Sequence, residues 1–478
     1  MIVLALILVP AFAALGAYAH RETAFRTGWL LVAAVVHAGL VGAVWAAPPE
    51  PVLGGWIAAD AMGLIVLSVV SGLFLMAAVY AVGYLRRENP RGGRAFVSCL
   101  LAFLAAASLV ALSQHLGVLW VGMEATTLSV APLIYHRQDR RSLEAVWKYL
   151  MLSSVGIALA LLGVFFLATA QFAAPPGARP LVLADLVRDA SRLTPSWLEA
   201  AFVFLLAGYG TKMGLAPLHS WKPDTYGEAP SLVGGLMAGV LTSCAFFGVA
   251  RVFQVLVAAG LVAFAQPLLL TFGIVSLVVA AAFVLGQSDV KRLLAYSSIE
   301  HMGLLVLGLG FGGVGAYGTV LHLVNNALAK GLLFLAVGNV VLATGTSLVV
   351  EIKGLQRALP ASGALLVVGL LAATGSPPFG SFVSEFTILR SAVASGHVVL
   401  ALVIAGLIVL IFAGMGRSLL RVFHGEPGRT VAAGAEDVWL LAGPAVLAGA
   451  VLMLGLYIPE PLGRALSGAA AALGGVSP

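Results

Sequence analysis

Charge is what this sequence has least of. Only 10% of its 478 residues are Asp, Glu, Lys or Arg, against 61% hydrophobic, and the mean hydropathy is +1.05. So little polar surface cannot cover a soluble globule of this length. Cysteine is nearly missing too: Cys99 and Cys244 stand far apart in apolar runs, which excludes a disulfide framework and a cysteine-based metal site. There is no HExxH, no CxxC, no Walker lysine and no GxSxG, so catalysis by this chain alone has no motif to rest on. Gly308, Gly310 and Gly313 spell GxGxxG, but they end an apolar run with no strand before it and no acid about twenty residues on, as a dinucleotide site needs. The formal charge of +6 does not point to nucleic acid either, because the arginines fall in short loops rather than on one face.

What the chain has is apolar length. About 14 runs approach the roughly 20 residues that span a bilayer. They lie at 2–18, 28–46, 60–84, 95–113, 116–135, 147–169, 198–217, 229–251, 264–286, 294–311, 316–343, 361–391, 397–420 and 436–458. The 56 glycines suit helices that pack closely in lipid. The predicted fold is therefore an all-α integral membrane protein of about 14 transmembrane helices, with no soluble domain. The first run has no charged lead and no small-residue cleavage site before His20, and reads as a retained span rather than a signal peptide.

Basic residues concentrate in the odd-numbered loops: Arg21, Arg26, Arg86, Arg87, Arg91, Arg94, Arg137, Arg140, Arg141, Lys222, Lys291, Arg292, Lys353, Arg357, Arg421 and Arg429. The even-numbered loops carry only Arg179, Arg188, Arg192 and, at a helix end, Arg251. The positive-inside rule then puts the odd loops in the cytoplasm and both termini outside it, in a cell membrane. The long outer loop from Gln171 to Ser196 reads as a surface excursion.

Against this background the ionisable residues inside spans stand out. A lysine at the bilayer centre costs roughly 2.5 to 3.5 kcal/mol by insertion scales and persists only where a partner, water or a function compensates. Lys212 lies in the stretch GYGTKMGLAPLHSWKPDTYGEAP, where Gly214 and Pro217 break the helix. Such breaks at membrane depth occur where backbone lines a protein-buried cavity. Glu124 lies about mid-helix in LGVLWVGMEATTLS, and Glu385 follows a second break, GSPPFG, at Pro377 and Pro378. His322, Asn326 and Lys330 are four apart and so share one helix face, over about 12 Å.

Each has a plainer reading: Glu124 in a structural ion pair, His322 in packing, Glu385 as a helix cap, Lys148 snorkelling from the cytoplasmic start of its span. Glu300 and His301, in YSSIEHMG, are placed near a helix start at the interface. His219, Asn326, Lys148 and His301 are accessory candidates. No residue set points to a metal or cofactor.

The two broken stretches lie five spans apart, an odd number, so their helices cross in opposite directions. Inverted repeats with broken helices are a common transporter plan. The chain divides accordingly into 1–94 (helices 1–3), 95–253 (helices 4–8), 254–423 (helices 9–13) and 424–478 (the last helix and a tail), with helices 7 and 12 broken.

These same stretches, together with QSDVKRLLAYSSIEHMG and LVNNALAKGLLFLAVG, resemble the antiporter-like subunits of respiratory complex I, of multisubunit cation/proton antiporters and of group 4 hydrogenases. KMGLAPLHSWKPDTYGEAPS and SSIEHMG are most similar to the component F branch of hydrogenase-4. The resemblance implies a non-catalytic, proton-translocating subunit beside other membrane subunits and a peripheral redox module, with redox cofactors only in those partners. Glu124 and Lys212 correspond to the pair that initiates proton movement, and His322, Lys330 and Glu385 to the groups of the second half-channel.

The chain also departs from its relatives. Where many have a basic residue in the eighth span, only Thr242, Ser243 and Cys244 are present. Asn326 replaces a second histidine, and residues 459–478 are too few for a long lateral helix, which suits an inner member of a row. Two other readings stand beside this one: a subunit of a sodium/proton antiporter, and a structural membrane anchor with an inactive channel.

Overall fold

A computed structural model describes residues 1–87, 93–171, 180–425 and 436–477. Arg91, Arg179 and Arg429, and part of the 171–196 loop, lie outside these described residues. In lipid every backbone group must be satisfied within its own segment, so the apolar runs form helices. In chain order these are α1 (Ile2–Ala19), α2 (Thr23–Ala46), α3 (Ala61–Arg87), α4 (Gly93–Leu112), α5 (Leu116–Ile134), α6 (Arg140–Ala170), a short α7 (Leu183–Arg188), α8 (Pro195–Met213), α9 (Trp221–Glu228), α10 (Ser231–Leu236), α11 (Thr242–Ala258), α12 (Val262–Val284), α13 (Val290–Phe311), α14 (Val314–Thr344), a short α15 (Leu355–Ala358), α16 (Pro360–Ala373), α17 (Gly380–Ala394), α18 (Val398–Phe423), α19 (Val438–Leu456) and α20 (Glu460–Ala472). One π-helical turn, Met237–Leu241, joins α10 to α11 into a single crossing, Ser231–Ala258.

Among the described residues, twelve helices are long and apolar enough to cross a membrane. The remaining two apolar runs are the divided ones, α8/α9 and α16/α17, and the protein is an all-α, multi-pass membrane protein. Two expectations need correction. Helix α9 belongs to the seventh crossing rather than to a loop. Its sequence, WKPDTYGE, is too polar for an apolar window, yet Trp221, Lys222, Pro223, Thr225 and Tyr226 are all buried against protein. Lys222 and Lys291 are therefore not loop charges but fully enclosed side chains. After the last span the tail contains the amphipathic helix α20, which packs on α3 and α14.

Helix α14 is the hub, packed on α13, α16, α17 and α19, with α10 and α3 behind it. The crossing Ser231–Ala258 is enclosed throughout its apolar window, whereas α1, α2 and α18 turn most of theirs outward. Helices α6 and α8 approach through glycines: a Cβ on Gly208 would meet the Gly156 carbonyl at 2.5 Å.

Two buried polar groups are structural. His37 bonds Ser71 and Ser108 through its two ring nitrogens, each at 2.9 Å, and ties α2 to α3 and α4. Arg251, enclosed in α11, forms two 2.6 Å bonds to the Asp60 carboxylate and lies over Phe247. This bidentate clamp pins the start of α3 to α11.

Candidate functional site

Helix α8 ends because Gly214 takes the left-handed conformation (φ 79°), with the Gly214 and Leu215 amides donating to the Gly210 carbonyl at 2.9 and 2.8 Å. Lys212 is thereby fixed in the last turn, wholly buried. Its Nζ donates to Thr127 Oγ1 at 2.6 Å and to Tyr149 Oη at 2.9 Å, and lies 4.7 Å from the Tyr149 ring centre. Thr127 follows Glu124 by three positions on α5, so the two side chains share a face. The Thr127 hydroxyl lies 3.1 Å from Glu124 Oε2 and 3.2 Å from the Met123 carbonyl. Glu124 and Lys212 are brought together, but not as the direct pair the sequence suggested: a hydroxyl stands between them. Glu124 is only half-buried, on the side of α5 where Val121 and Leu128 are exposed.

The chain then passes through residues 214–220, which include a cis Ala216–Pro217 bond, into α9. The broken ends are satisfied locally. The Ala216 amide donates to Ser276 Oγ at 3.0 Å, Trp221 Nε1 to the Thr211 carbonyl at 2.8 Å and Lys222 Nζ to the Met213 carbonyl at 2.7 Å. Lys291 similarly caps the far end of α9, donating to the Gly227 and Ala229 carbonyls at 2.7 and 2.6 Å. His219 sits half-buried in the break, its Nδ1 without a hydrogen-bond partner.

A second couple repeats the chemistry of the first. Lys330 Nζ, on α14, donates to Ser297 Oγ at 2.6 Å, and Ser297 Oγ lies 3.3 Å from Glu300 Oε2. Ser297 and Glu300 are again three apart, now on α13. Glu300 and His301 are thus not interfacial. Both are enclosed in the middle of α13, which begins at Val290.

Beyond Lys330, His301 Nδ1 meets His322 Nε2 at 3.0 Å and His322 Nδ1 meets Ser384 Oγ at 2.9 Å. Ser384 donates its own proton to the Ser381 carbonyl at 2.9 Å. Both ring nitrogens of His322 are thus engaged, one by His301 and the other by Ser384. The other end of this row is His301 Nε2, buried beside the Ala373 backbone.

Glu385 completes the cluster. It lies against the second break, where a Cβ on Gly375 (φ 61°) would come within 2.0 Å of its Oε2, so the position requires glycine twice over. Its Oε1 has no hydrogen-bond partner, and neither do both polar atoms of Asn325 and Asn326 or Ser381 Oγ. His301, His322 and Glu385 bring one ligand-type atom each within 4.8 Å of one another, the one group of described residues so arranged for a metal. Lys148 does not join the row. It is half-exposed and pairs with Glu144 at 2.7 Å and Asp224 at 2.8 Å in a surface cleft that also holds the Arg292–Asp224 contact.

Sequence reading placed Lys222 in a loop and Glu300 at the interface, and passed over Thr127, Tyr149 and Ser297. The signal for two of them was the three-residue spacing of a hydroxyl from a buried carboxylate, which places both on one helical face.

Comparison with known proteins identifies the family and the fold. Residues 113–411 match the family described as NADH:quinone oxidoreductase/Mrp antiporter, TM. The hydrogenase-4 component F homolog of Methylacidiphilum infernorum (isolate V4) is 35% identical over 383 residues, which are 78% of this chain and 80% of that protein. A chain of Thermus thermophilus respiratory complex I with bound NADH superposes with a TM-score of 0.83 at 25% identity, covering 99% of this chain and all of its own. A chain of the archaeal membrane-bound sulfane sulfur reductase gives a TM-score of 0.88 at 22% identity, covering 99% and 98%, and shows the shared fold.

Proposed function

The chain belongs to the NADH:quinone oxidoreductase/Mrp antiporter transmembrane family as an antiporter-like membrane subunit, and from that premise we propose that it translocates protons within a redox-driven membrane complex. The observation that carries this reading is the repeated couple: a buried lysine held through one hydroxyl to a carboxylate, once as Lys212–Thr127–Glu124 and once as Lys330–Ser297–Glu300. A hydroxyl both accepts and donates, so a proton can leave the lysine as another passes to the carboxylate. Charges set in a low-dielectric interior interact strongly, and a change at one end of the row shifts the energy at the next. His301, His322 and Ser384 extend the second couple toward Glu385. The halves 95–253 and 254–423 act as inverted repeats that each supply half of the path. Neighbouring membrane subunits and a peripheral redox module supply the driving energy, and any redox cofactor lies there. The odd-numbered loops face the cytoplasm and both termini the other side.

A second reading has one specific support. Asn325 Oδ1, Ser381 Oγ and Glu385 Oε1 are buried oxygens without partners at the second break, the ligand type a hard cation takes. Sodium/proton exchange is therefore the alternative.

Proton uptake by the intact complex, reconstituted in liposomes and driven by its own redox turnover, separates the two. Uptake that is equal in sodium and in choline salts is the expected result. Uptake that collapses without sodium favours the exchanger.

A further inference from the structure

Lys222 belongs to neither couple, yet it is wholly enclosed between them. On one side, its Nζ bonds the carbonyl of Met213, the residue after Lys212. Its neighbour Trp221 meets Tyr149, the hydroxyl partner of Lys212, with ring centres 5.3 Å apart. On the other side, Lys222 and Tyr226 are four apart on α9, while Lys330 and Phe334 are four apart on α14, and each pair therefore shares a face. Tyr226 meets Phe334 edge-on at 5.5 Å and Lys222 Nζ lies 5.7 Å from the Tyr226 ring centre, so side chains of α9, which itself packs on α6 and α13, reach α14. Lys222 and Lys330 are near enough for their charges to act on one another. Thr225 Oγ1, buried here, lacks a hydrogen-bond partner, and Tyr226 Oη and Ser298 Oγ face each other beside it, so the gap between the lysines is lined by hydroxyls that can bond water.

The eighth crossing supplies no alternative. Thr242 and Ser243 donate to the Ala238 and Gly239 carbonyls within their own helix, each at 2.6 Å, and Cys244 Sγ faces the Ala107 carbonyl at 4.0 Å.

We propose that Lys222 is the transfer group that joins the two half-channels, in place of the basic residue this chain lacks in its eighth span. The inference rests on the proton-translocating reading. An N–H bond breaks at Lys212 as one forms on the neutral Nζ of Lys222, through water where the side chains do not touch. The next transfer breaks a bond at Lys222 and forms one at neutral Lys330. A proton gained by Lys222 repels one already on Lys330 and drives it toward Glu300 and Glu385. The bond to Met213 survives throughout, because the neutral amine still has N–H to donate.

The test uses Lys222→Met and Lys222→Arg in the intact reconstituted complex. Both are expected to assemble and to take up at least about tenfold fewer protons per turnover. Arginine keeps the charge and the cap on α8 but cannot release a proton, so it separates transfer from a structural role and decides the matter if Lys222→Met fails to assemble. Wild-type proton uptake in either assembled variant, or a Lys222→Arg complex that fails to assemble, overturns the proposal. A Lys212→Met control keeps the two readings apart. Loss there with full uptake in Lys222→Arg removes only this inference, whereas full uptake in Lys212→Met removes the proton path itself.

Discussion

Lys212→Met is expected to lower redox-coupled proton uptake by roughly a hundredfold or more, the lower range of what a positioned proton-transfer group contributes, while the complex still assembles. Methionine fills the space of the lysine stem in a site that is fully enclosed. The hydroxyl left behind is not stranded: Thr127 retains the Met123 carbonyl at 3.2 Å and lies 3.1 Å from Glu124 Oε2. An orphaned buried hydrogen-bonding group costs about 1–3 kcal/mol, and only Tyr149 Oη is at risk of it. Removing a buried charge also removes its desolvation cost, so stability changes little while transport stops. Proton uptake in liposomes, normalised to redox turnover and to assembled complex on a native gel, reads both quantities. Unaltered uptake defeats the role of Lys212.

Glu300→Gln is the second large effect. The amide matches the carboxylate in size and can still accept from Ser297, whose Oγ lies 3.3 Å away, so packing of α13 against α14 is preserved. What it removes is the titratable carboxyl linked to Lys330 through that serine, and with it a site that can take up and release a proton. Uptake per turnover is expected to fall at least about tenfold with normal assembly, and Glu300→Asp is expected to recover part of the loss. If Glu300→Gln pumps at the wild-type rate, the second couple is structural and the likeness between the two couples carries no function.

Much of this was legible in the sequence because burying charge in lipid is costly. Lys212, Lys330, His322 and Glu385 stood out in apolar runs, and glycine with proline marked both breaks. The rest was hidden for identifiable reasons. A hydroxyl inside an apolar span usually bonds its own helix, as Thr242 and Ser243 do, so nothing distinguished Thr127 and Ser297 until the facing lysines were in place. Glu300 follows Lys291 and Arg292 closely and looked interfacial, but α13 starts at Val290, about 15 Å earlier along the axis. Lys222 sits in a polar octapeptide that reads as a loop. Only the turn through residues 214–220 folds it back until its Nζ reaches the Met213 carbonyl, nine positions earlier. The eighth span offers only Thr242, Ser243 and Cys244 where relatives carry a base, and the lysine proposed in its place lies in the segment just before it.

The number of protons moved per electron pair by the reconstituted complex carrying Lys212→Met together with Glu385→Gln is the decisive quantity. If this subunit is a proton path, the ratio falls by the subunit's whole share while redox turnover and assembly persist. An unchanged ratio in the assembled double variant contradicts that and makes the chain a structural anchor with an inactive channel.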